Sequence, residues 1–160
     1  MNEWHDLFVA TAGASAALTG LIFVGVSINL SRILAYPKLP SRALLSLILL
    51  STILIVSVLL LIPHQKNFVA GIQVLLVGSC CWIASSIIGI SITSKTDKQY
   101  RKANFITMLI DQLATFPYII AAILLLLNNE QGFYFVVAAF VISIVKSIID
   151  AWVLLIEINR

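Results

Sequence analysis

Residues 43–62 read ALLSLILLSTILIVSVLLLI and contain no charged residue. A membrane-spanning helix needs about 20 consecutive, predominantly apolar residues, and this segment has that length. Lipid offers the backbone no hydrogen-bond partners, so only helices and closed barrels span it. Because the segment is one continuous apolar run without the polar–apolar alternation of a barrel strand, it predicts a transmembrane helix.

Four further segments follow the same pattern. The five predicted helices span residues 7–33, 43–62, 68–93, 104–127 and 133–158. Helix-breaking or polar residues separate them, namely Pro37, Pro40, Pro63, Asn67, the run 94–102, Asn128, Asn129 and Gly132. Hydrophobic residues make up 61% of the chain and charged residues 11%, which is too apolar for a soluble domain. The sequence therefore predicts an all-α bundle of five transmembrane helices, with one transmembrane domain over residues 1–160.

Basic residues predict the orientation of this bundle. Of the ten lysines and arginines, Lys146 lies within a predicted helix, Lys66 lies on one side, and the others lie on the opposite side. These others are Arg32, Lys38, Arg42, Lys95, Lys98, Arg101, Lys102 and Arg160. Cytoplasmic loops are enriched in lysine and arginine, so we expect an outside N-terminus and a cytoplasmic C-terminus. The same loops explain the net charge of +3, and we do not expect nucleic-acid binding.

Charged residues interrupt the last two apolar segments. Lys146, Asp150 and Glu157 share one face of the fifth predicted helix, since Lys146 and Asp150 are ~40° apart on the helical wheel. Asp111 and Asp150 each lie about 10 Å from the cytoplasmic ends of their antiparallel helices. We therefore expect Asp111, Lys146 and Asp150 to meet at one depth, with Glu157 nearer the membrane surface. The predicted buried polar cluster contains Asp111, Lys146, Asp150, Glu157, Asn29 and Arg32.

Two interpretations of this cluster are open. Charges in lipid are costly, so they pair with one another or line a path for something that moves. A buried ion-pair network would hold two helices in register. Alternatively, Asp111, Lys146 and Asp150 would form a polar station, that is, a site in the inner half of the membrane where ions or protons bind as they pass. Two acids against Lys146 leave an excess negative charge, which would attract such a cation. A proton, a bound cation or Arg32 would balance that excess.

Small residues form stripes on two predicted helices, where they allow close backbone approach. The stripes contain Ala10, Gly13, Ala17 and Gly20 in the first helix, and Gly71, Gly78, Ser85 and Gly89 in the third. They indicate either tight packing within one chain or a subunit interface. Because five helices in 160 residues form a thin bundle, we expect a homo-oligomer in the lipid bilayer.

No pattern in the chain indicates an enzyme. There is no nucleophile motif, glycine-rich phosphate loop or metalloprotease signature, so we expect neither catalysis nor a cofactor. His5, Asp6, His64 and Glu130 are candidates for a cluster on the outer side, but they lack paired ligand spacing, and we expect no metal site. Serines within the membrane, such as Ser143, are expected to hydrogen-bond back to their own helix.

The two ends of the chain resemble a family of small bacterial integral membrane proteins. The likeness lies in WHDLFV at 4–9, ALTGLIFV at 17–24, SINL at 27–30 and AWVLLIE at 151–157. Members of this family are loosely labelled modulators of the membrane-bound AAA protease. The resemblance implies a multi-pass protein of the bacterial cytoplasmic membrane and brings no catalytic residues with it.

Two functions from different classes follow from these patterns. The first is a self-associating protein that conducts an ion or small solute, with Asp111, Lys146 and Asp150 as its polar station. The second is an accessory or regulatory subunit that binds another membrane protein, such as a membrane protease, with purely structural charges. A closed ring of subunits around a hydrated axis would favour the first, and a dry, fully paired cluster would favour the second.

Overall fold

The computed structural model describes residues 4–36, 39–94 and 101–158, with side chains described over 4–36, 39–93 and 106–156. Within these ranges every regular element is an α-helix. The helices are α1 (His5–Ile28), α2 (Leu30–Ala35), α3 (Leu39–Leu60), α4 (Asn67–Ser94), α5 (Arg101–Leu126) and α6 (Gly132–Ile158). Five of them, all except α2, are long and apolar enough to cross a membrane. The predicted all-α, multi-pass fold with five spans is confirmed.

The first predicted helix, 7–33, is divided in the structure. Asn29 lies outside the helical region of backbone space, with φ −104° and ψ 16°, and separates α1 from α2. Its Nδ2 donates a hydrogen bond to the Gly25 carbonyl oxygen at 3.1 Å, the acceptor that its backbone N–H would use in a continuous helix. The prediction of one uninterrupted helix is therefore wrong at this residue.

The start of α3 also differs from the prediction. It begins at Leu39 rather than residue 43, which places Pro40 and Arg42 within the helix. A proline is tolerated in the first turn because backbone N–H groups there have no intrahelical partner. As a result Arg42, which the sequence assigned to a loop, is carried by a membrane-spanning helix.

Helices α3, α4, α5 and α6 form a closed four-helix ring in which each helix packs on the next and α6 returns to α3. Helix α1 lies outside this ring, against α3, and touches α6 only slightly. We call the end of the bundle where α1 begins the N-terminal edge, and the end where α6 finishes the C-terminal edge. One side of α1 thus packs on the bundle while the other side faces away from it.

The apolar core fills the half of the bundle nearer the N-terminal edge. Its largest fully buried side chains include Tyr118, Phe133 and Phe140, and α1 contributes Phe8. A second, smaller apolar cluster lies near the C-terminal edge and contains Ile33, Leu39, Ala43 and Leu154. Asp111 of α5 and Lys146 and Asp150 of α6 lie between these two apolar regions.

Polar bonds join neighbouring helices, as is common where lipid provides no hydrophobic drive for association. They comprise Thr11 Oγ1 to Ser57 Oγ (2.9 Å), Gln112 Nε2 to Ser86 Oγ (3.0 Å), Ser143 Oγ to the Ala114 carbonyl (3.4 Å) and Ser147 Oγ to the Ser46 carbonyl (3.3 Å). We expected membrane serines such as Ser57, Ser79 and Ser143 to bond to their own helix; this is wrong for Ser143, which donates to α5, and the Ser57 hydroxyl likewise pairs with Thr11 of another helix. Ser79 does follow this expectation, donating to the Leu76 carbonyl at 3.0 Å.

Candidate functional site

Lys146 is the centre of a buried ion-pair network. Its Nζ lies 2.8 Å from Asp111 Oδ1 on α5 and also pairs with Asp150, one turn further along α6. The side chains of Lys146, Asp111 and Asp150 are 4%, 3% and 9% exposed. The structure thus brings together the three residues that the helical wheel and the depth argument predicted.

A second cation, Arg42 of α3, completes this network. It lines the same small cavity as Asp111, Lys146 and Asp150, and it interacts electrostatically with Asp111. Two carboxylates then face one ammonium and one guanidinium, so the formal charges balance without a bound cation. Sequence reasoning missed Arg42 because it placed the helix start after this residue. Pro40, a residue well suited to a first helical turn, was the signal for an earlier start.

The space left between these four charged side chains is small. The cavity has a volume of about 20 Å³ and is also lined by apolar side chains, including those of Leu45, Ile92 and Met108. About one water molecule needs 10–15 Å³ by this measure, so the cavity accommodates roughly one. A hydrated ion does not fit there without separating the helices.

The remaining predicted members of the cluster lie elsewhere or outside the described side chains. Neither Asn29 nor Arg32 lines the cavity; Arg32 is exposed, and the Asn29 side chain bonds to its own helix. The placement of these two residues in the cluster is therefore corrected: the arginine beside the acids is Arg42. Glu157 lies on α6, but its side chain is outside the described residues.

The small residues of α4 pack against α5. A Cβ added at Gly78 would lie 2.8 Å from Tyr118 Cβ, and one added at Gly71 would lie 2.8 Å from the backbone nitrogen of Leu126. At Gly89 the nearest atom would be Met108 Cγ at 3.2 Å, and Ser85 is fully buried. This stripe therefore serves tight packing within one chain.

The small residues of α1 have no such neighbour. Ala10, Gly13, Ala17 and Gly20 are all exposed, and a Cβ added at Gly13 or Gly20 would meet no described atom within 4 Å. The opposite face of α1 packs on α3, where Ser15 is fully buried. The α1 stripe, defined as these four residues, is thus a smooth surface that the described part of the chain leaves uncovered.

The candidate metal ligands at the N-terminal edge divide into two groups. His5 and His64 line one cavity, whereas Asp6 and Glu130 do not line it. Among the described residues, no group of three or more histidine, cysteine or acidic side chains is arranged to hold a metal ion. The structure therefore does not bring the four residues together as a set of ligands.

Comparison of the chain with models of protein families, with curated proteins and with solved structures finds no match. The resemblance of the chain ends to small bacterial membrane proteins stays a prediction. The features available for assigning a function are the charge-balanced cluster around Lys146 and the uncovered α1 stripe.

Proposed function

We propose that this protein is a non-enzymatic subunit of the bacterial cytoplasmic membrane that acts by helix–helix association, beginning with a second copy of itself. The observation that carries this proposal is the α1 stripe, which runs along a membrane span and lies exposed on the bundle. Small residues allow two helix backbones to approach closely in lipid, where packing and weak polar contacts drive association. An uncovered stripe of this kind provides such a surface.

A second copy is the favoured occupant because of symmetry. Most homo-oligomers are closed and use the same patch on both subunits, so the patch must be self-complementary. A smooth small-residue stripe satisfies this requirement, since two such helices cross without clashing side chains. Because α1 packs mainly on α3, its opposite face is open to another α1.

The charged cluster acts in this proposal as a clamp that holds α5, α6 and α3 together. Each carboxylate has a cation nearby, and the small cavity between them accommodates about one water molecule. Such balance favours a structural role over an ion-binding station. Conduction through the cluster is the less well supported function, because it requires the ion pairs to open and the cavity to widen.

An accessory role toward another membrane protein is compatible with the same surface. The resemblance of residues 4–9 and 151–157 to a family loosely labelled as protease modulators supports such a role. In that case the α1 stripe would bind a helix of the partner instead of a second copy. The experiment below separates these occupants.

Self-association is tested by energy transfer between two differently labelled populations of the protein in liposomes. We expect transfer in the wild type, a strong loss with Gly20→Leu, and no loss with Cys80→Leu. Cys80→Leu is the matched control because Cys80 is also exposed, on α4, away from the α1 stripe. Equal transfer in Gly20→Leu and wild type would rule out the stripe as the contact. If no energy transfer occurs at any protein density, self-association is ruled out, and a different membrane protein becomes the candidate partner of the α1 stripe.

Conduction is tested separately by ion flux into the same liposomes. The clamp role predicts that wild type and Asp111→Asn show the same flux as empty liposomes. A wild-type flux that Asp111→Asn alters, in protein that remains folded, would establish the cluster as a polar station instead.

A further inference from the structure

The largest cavity among those described lies at the N-terminal edge of the bundle. It has a volume of about 890 Å³, is partly open, and lies where α1 and α4 begin and α3 and α5 end. Trp4 and Tyr134 pack edge to face at the same edge, with ring centroids 4.8 Å apart. Tryptophan and tyrosine are enriched at the level of the lipid headgroups. The cavity therefore opens at headgroup depth and not into the hydrocarbon core.

The polar wall of this cavity is basic. Lys66 supplies a full positive charge, and His5 and His64 supply two further nitrogen-bearing side chains. Among the described residues that line the cavity there is no carboxylate, although Asp6 and Glu130 belong to the same edge. A lysine ammonium surrounded by neutral donors attracts an anionic group, and phosphate is the anion that membranes present at this depth.

Part of the lining of this cavity is apolar. Leu61, Ile62 and Phe68 line it, and the side chains of Ile62 and Phe68 are about half exposed. Apolar side chains beside a basic mouth suit an amphiphile better than a small inorganic anion, because the latter gains nothing from such a wall. The cavity thus combines one surface for a charged headgroup with another for an acyl chain.

Gln65, which also lines the cavity, carries an unsatisfied hydrogen-bond acceptor. Gln65 Nε2 donates to Gln73 Oε1 at 2.6 Å, which leaves the buried Gln65 Oε1 without a hydrogen-bond partner among the described residues. Buried polar atoms in native structures are usually paired, but this oxygen is shielded from the cavity too, so a bound group would reach it only after the Gln65 side chain turned toward the mouth.

The backbone around the mouth is unusual as well. His64 and Asn128 are the non-glycine residues with positive φ in the described chain, both at 56°, and both line this cavity. Asn128 is explained by its position at the end of α5, where asparagine often adopts this conformation. His64 follows Pro63 in the turn between α3 and α4, where a proline commonly precedes a residue with positive φ, so both angles are explained by the chain reversals at the mouth.

We propose that this cavity binds the phosphodiester headgroup of a phospholipid. Lys66 pairs with the phosphate oxygens, His5 and His64 border the headgroup, and one acyl chain follows Leu61, Ile62 and Phe68. The site shares no residue with the α1 stripe or the charged cluster, so it stands independently of the function proposed above.

The test compares lipid retention by the full-length protein in detergent, read by native mass spectrometry with phosphatidylglycerol and with phosphatidylcholine as probes. We expect preferential retention of phosphatidylglycerol, which carries hydroxyl donors and a net negative charge. Lys66→Gln is expected to weaken this retention about fivefold, the effect of losing one cation near a lipid surface. Arg32→Gln is the matched control, because it removes an exposed cation at the opposite edge. It should leave retention unchanged.

Three results would overturn the proposal. One is equal retention by Lys66→Gln and Arg32→Gln, which would assign no role to the cavity. Another is equal retention of the two lipids by the wild type. The third is displacement of phosphatidylglycerol by millimolar inorganic phosphate, which would make the site one for the free anion. His64→Gln serves as a second variant if Lys66→Gln lowers the melting temperature, and it should weaken retention in the same direction.

Discussion

Lys146 Nζ on α6 lies 2.8 Å from Asp111 Oδ1 on α5, and both side chains are almost completely buried. Asp150 pairs with the same ammonium from within α6, one turn further along the helix. The intrahelical partner orients the flexible lysine toward α5, so that the cross-helix pair forms with little further loss of side-chain freedom. Arg42 approaches from α3, and the cluster therefore joins three of the four helices of the ring.

Replacing the central lysine tests this arrangement. Lys146→Met is expected to lower the free energy of unfolding by about 3–5 kcal/mol, because it leaves two buried carboxylates facing Arg42 alone. Equilibrium unfolding in lipid bicelles measures the change. Arg32→Met, which removes an exposed cation, should have little effect.

The double variant Lys146→Met/Asp111→Asn extends the same test. It restores the charge balance between Asp150 and Arg42, so it should recover part of the stability that Lys146→Met loses. A double variant less stable than Lys146→Met would contradict the charge-balance account of the cluster.

Two glycines separate packing within the chain from packing between chains. Gly78→Ala places a methyl group 2.8 Å from Tyr118 Cβ, and overpacking of this kind costs about 1–3 kcal/mol of unfolding free energy. Gly20→Ala meets no described atom within 4 Å, so the stability of the isolated chain should not fall. Unfolding of both variants, measured at protein densities too low for association, makes the comparison. A larger loss for Gly20→Ala than for Gly78→Ala would show that the packing is assigned to the wrong helix.

A buried hydroxyl in the core provides a third prediction. Tyr118 is fully buried, and its hydroxyl has no well-directed hydrogen bond among the described residues, although Ser143 is near enough to interact with it. Removing an unsatisfied hydroxyl relieves a desolvation cost, so Tyr118→Phe should leave the free energy of unfolding unchanged or raise it by up to about 1 kcal/mol. A fall of more than that amount would mean that the hydroxyl has a strong partner.

Ser143→Ala is the matched control for this prediction. It removes the hydrogen bond to the Ala114 carbonyl between α6 and α5. Stability should fall by about 0.6 kcal/mol, the average for polar contacts between membrane helices. The two residues lie on facing helices of one interface. Ser143→Ala is thus expected to lower the free energy of unfolding, whereas Tyr118→Phe is expected to raise it or leave it unchanged.

Orientation in the membrane is a fourth prediction, made from the basic loops. A reporter fused after Arg160 should read out as cytoplasmic, and one placed in the loop that contains Lys66 should read out as extracytoplasmic. The reason is the concentration of lysine and arginine on the side of the chain's C-terminus. Activity of an extracytoplasmic reporter at the C-terminus would reverse the assignment.

The helices themselves could be predicted because their signal is local. A run of 20 apolar residues such as 43–62 must be helical if it spans lipid, whatever its neighbours are. Helix ends were harder to predict. Asn29 interrupts a helix through a side-chain hydrogen bond to the Gly25 carbonyl, and composition does not reveal such a bond. The depth of Asp111 and Lys146 followed from helical rise alone, so their meeting was predictable as well.

The sequence by itself determined the five membrane-spanning helices and the depth of the buried charges, because both depend on run length and helical period. Only the tertiary structure decided that Arg42, and not Arg32, stands beside the excess acid, because this depends on how α3 packs beside α5 and α6. It also decided that α5 covers the small residues of α4 (Gly71, Gly78, Ser85 and Gly89), while the α1 stripe stays open. Two small-residue stripes look alike in a sequence, and their roles differ only through the helices that lie against them.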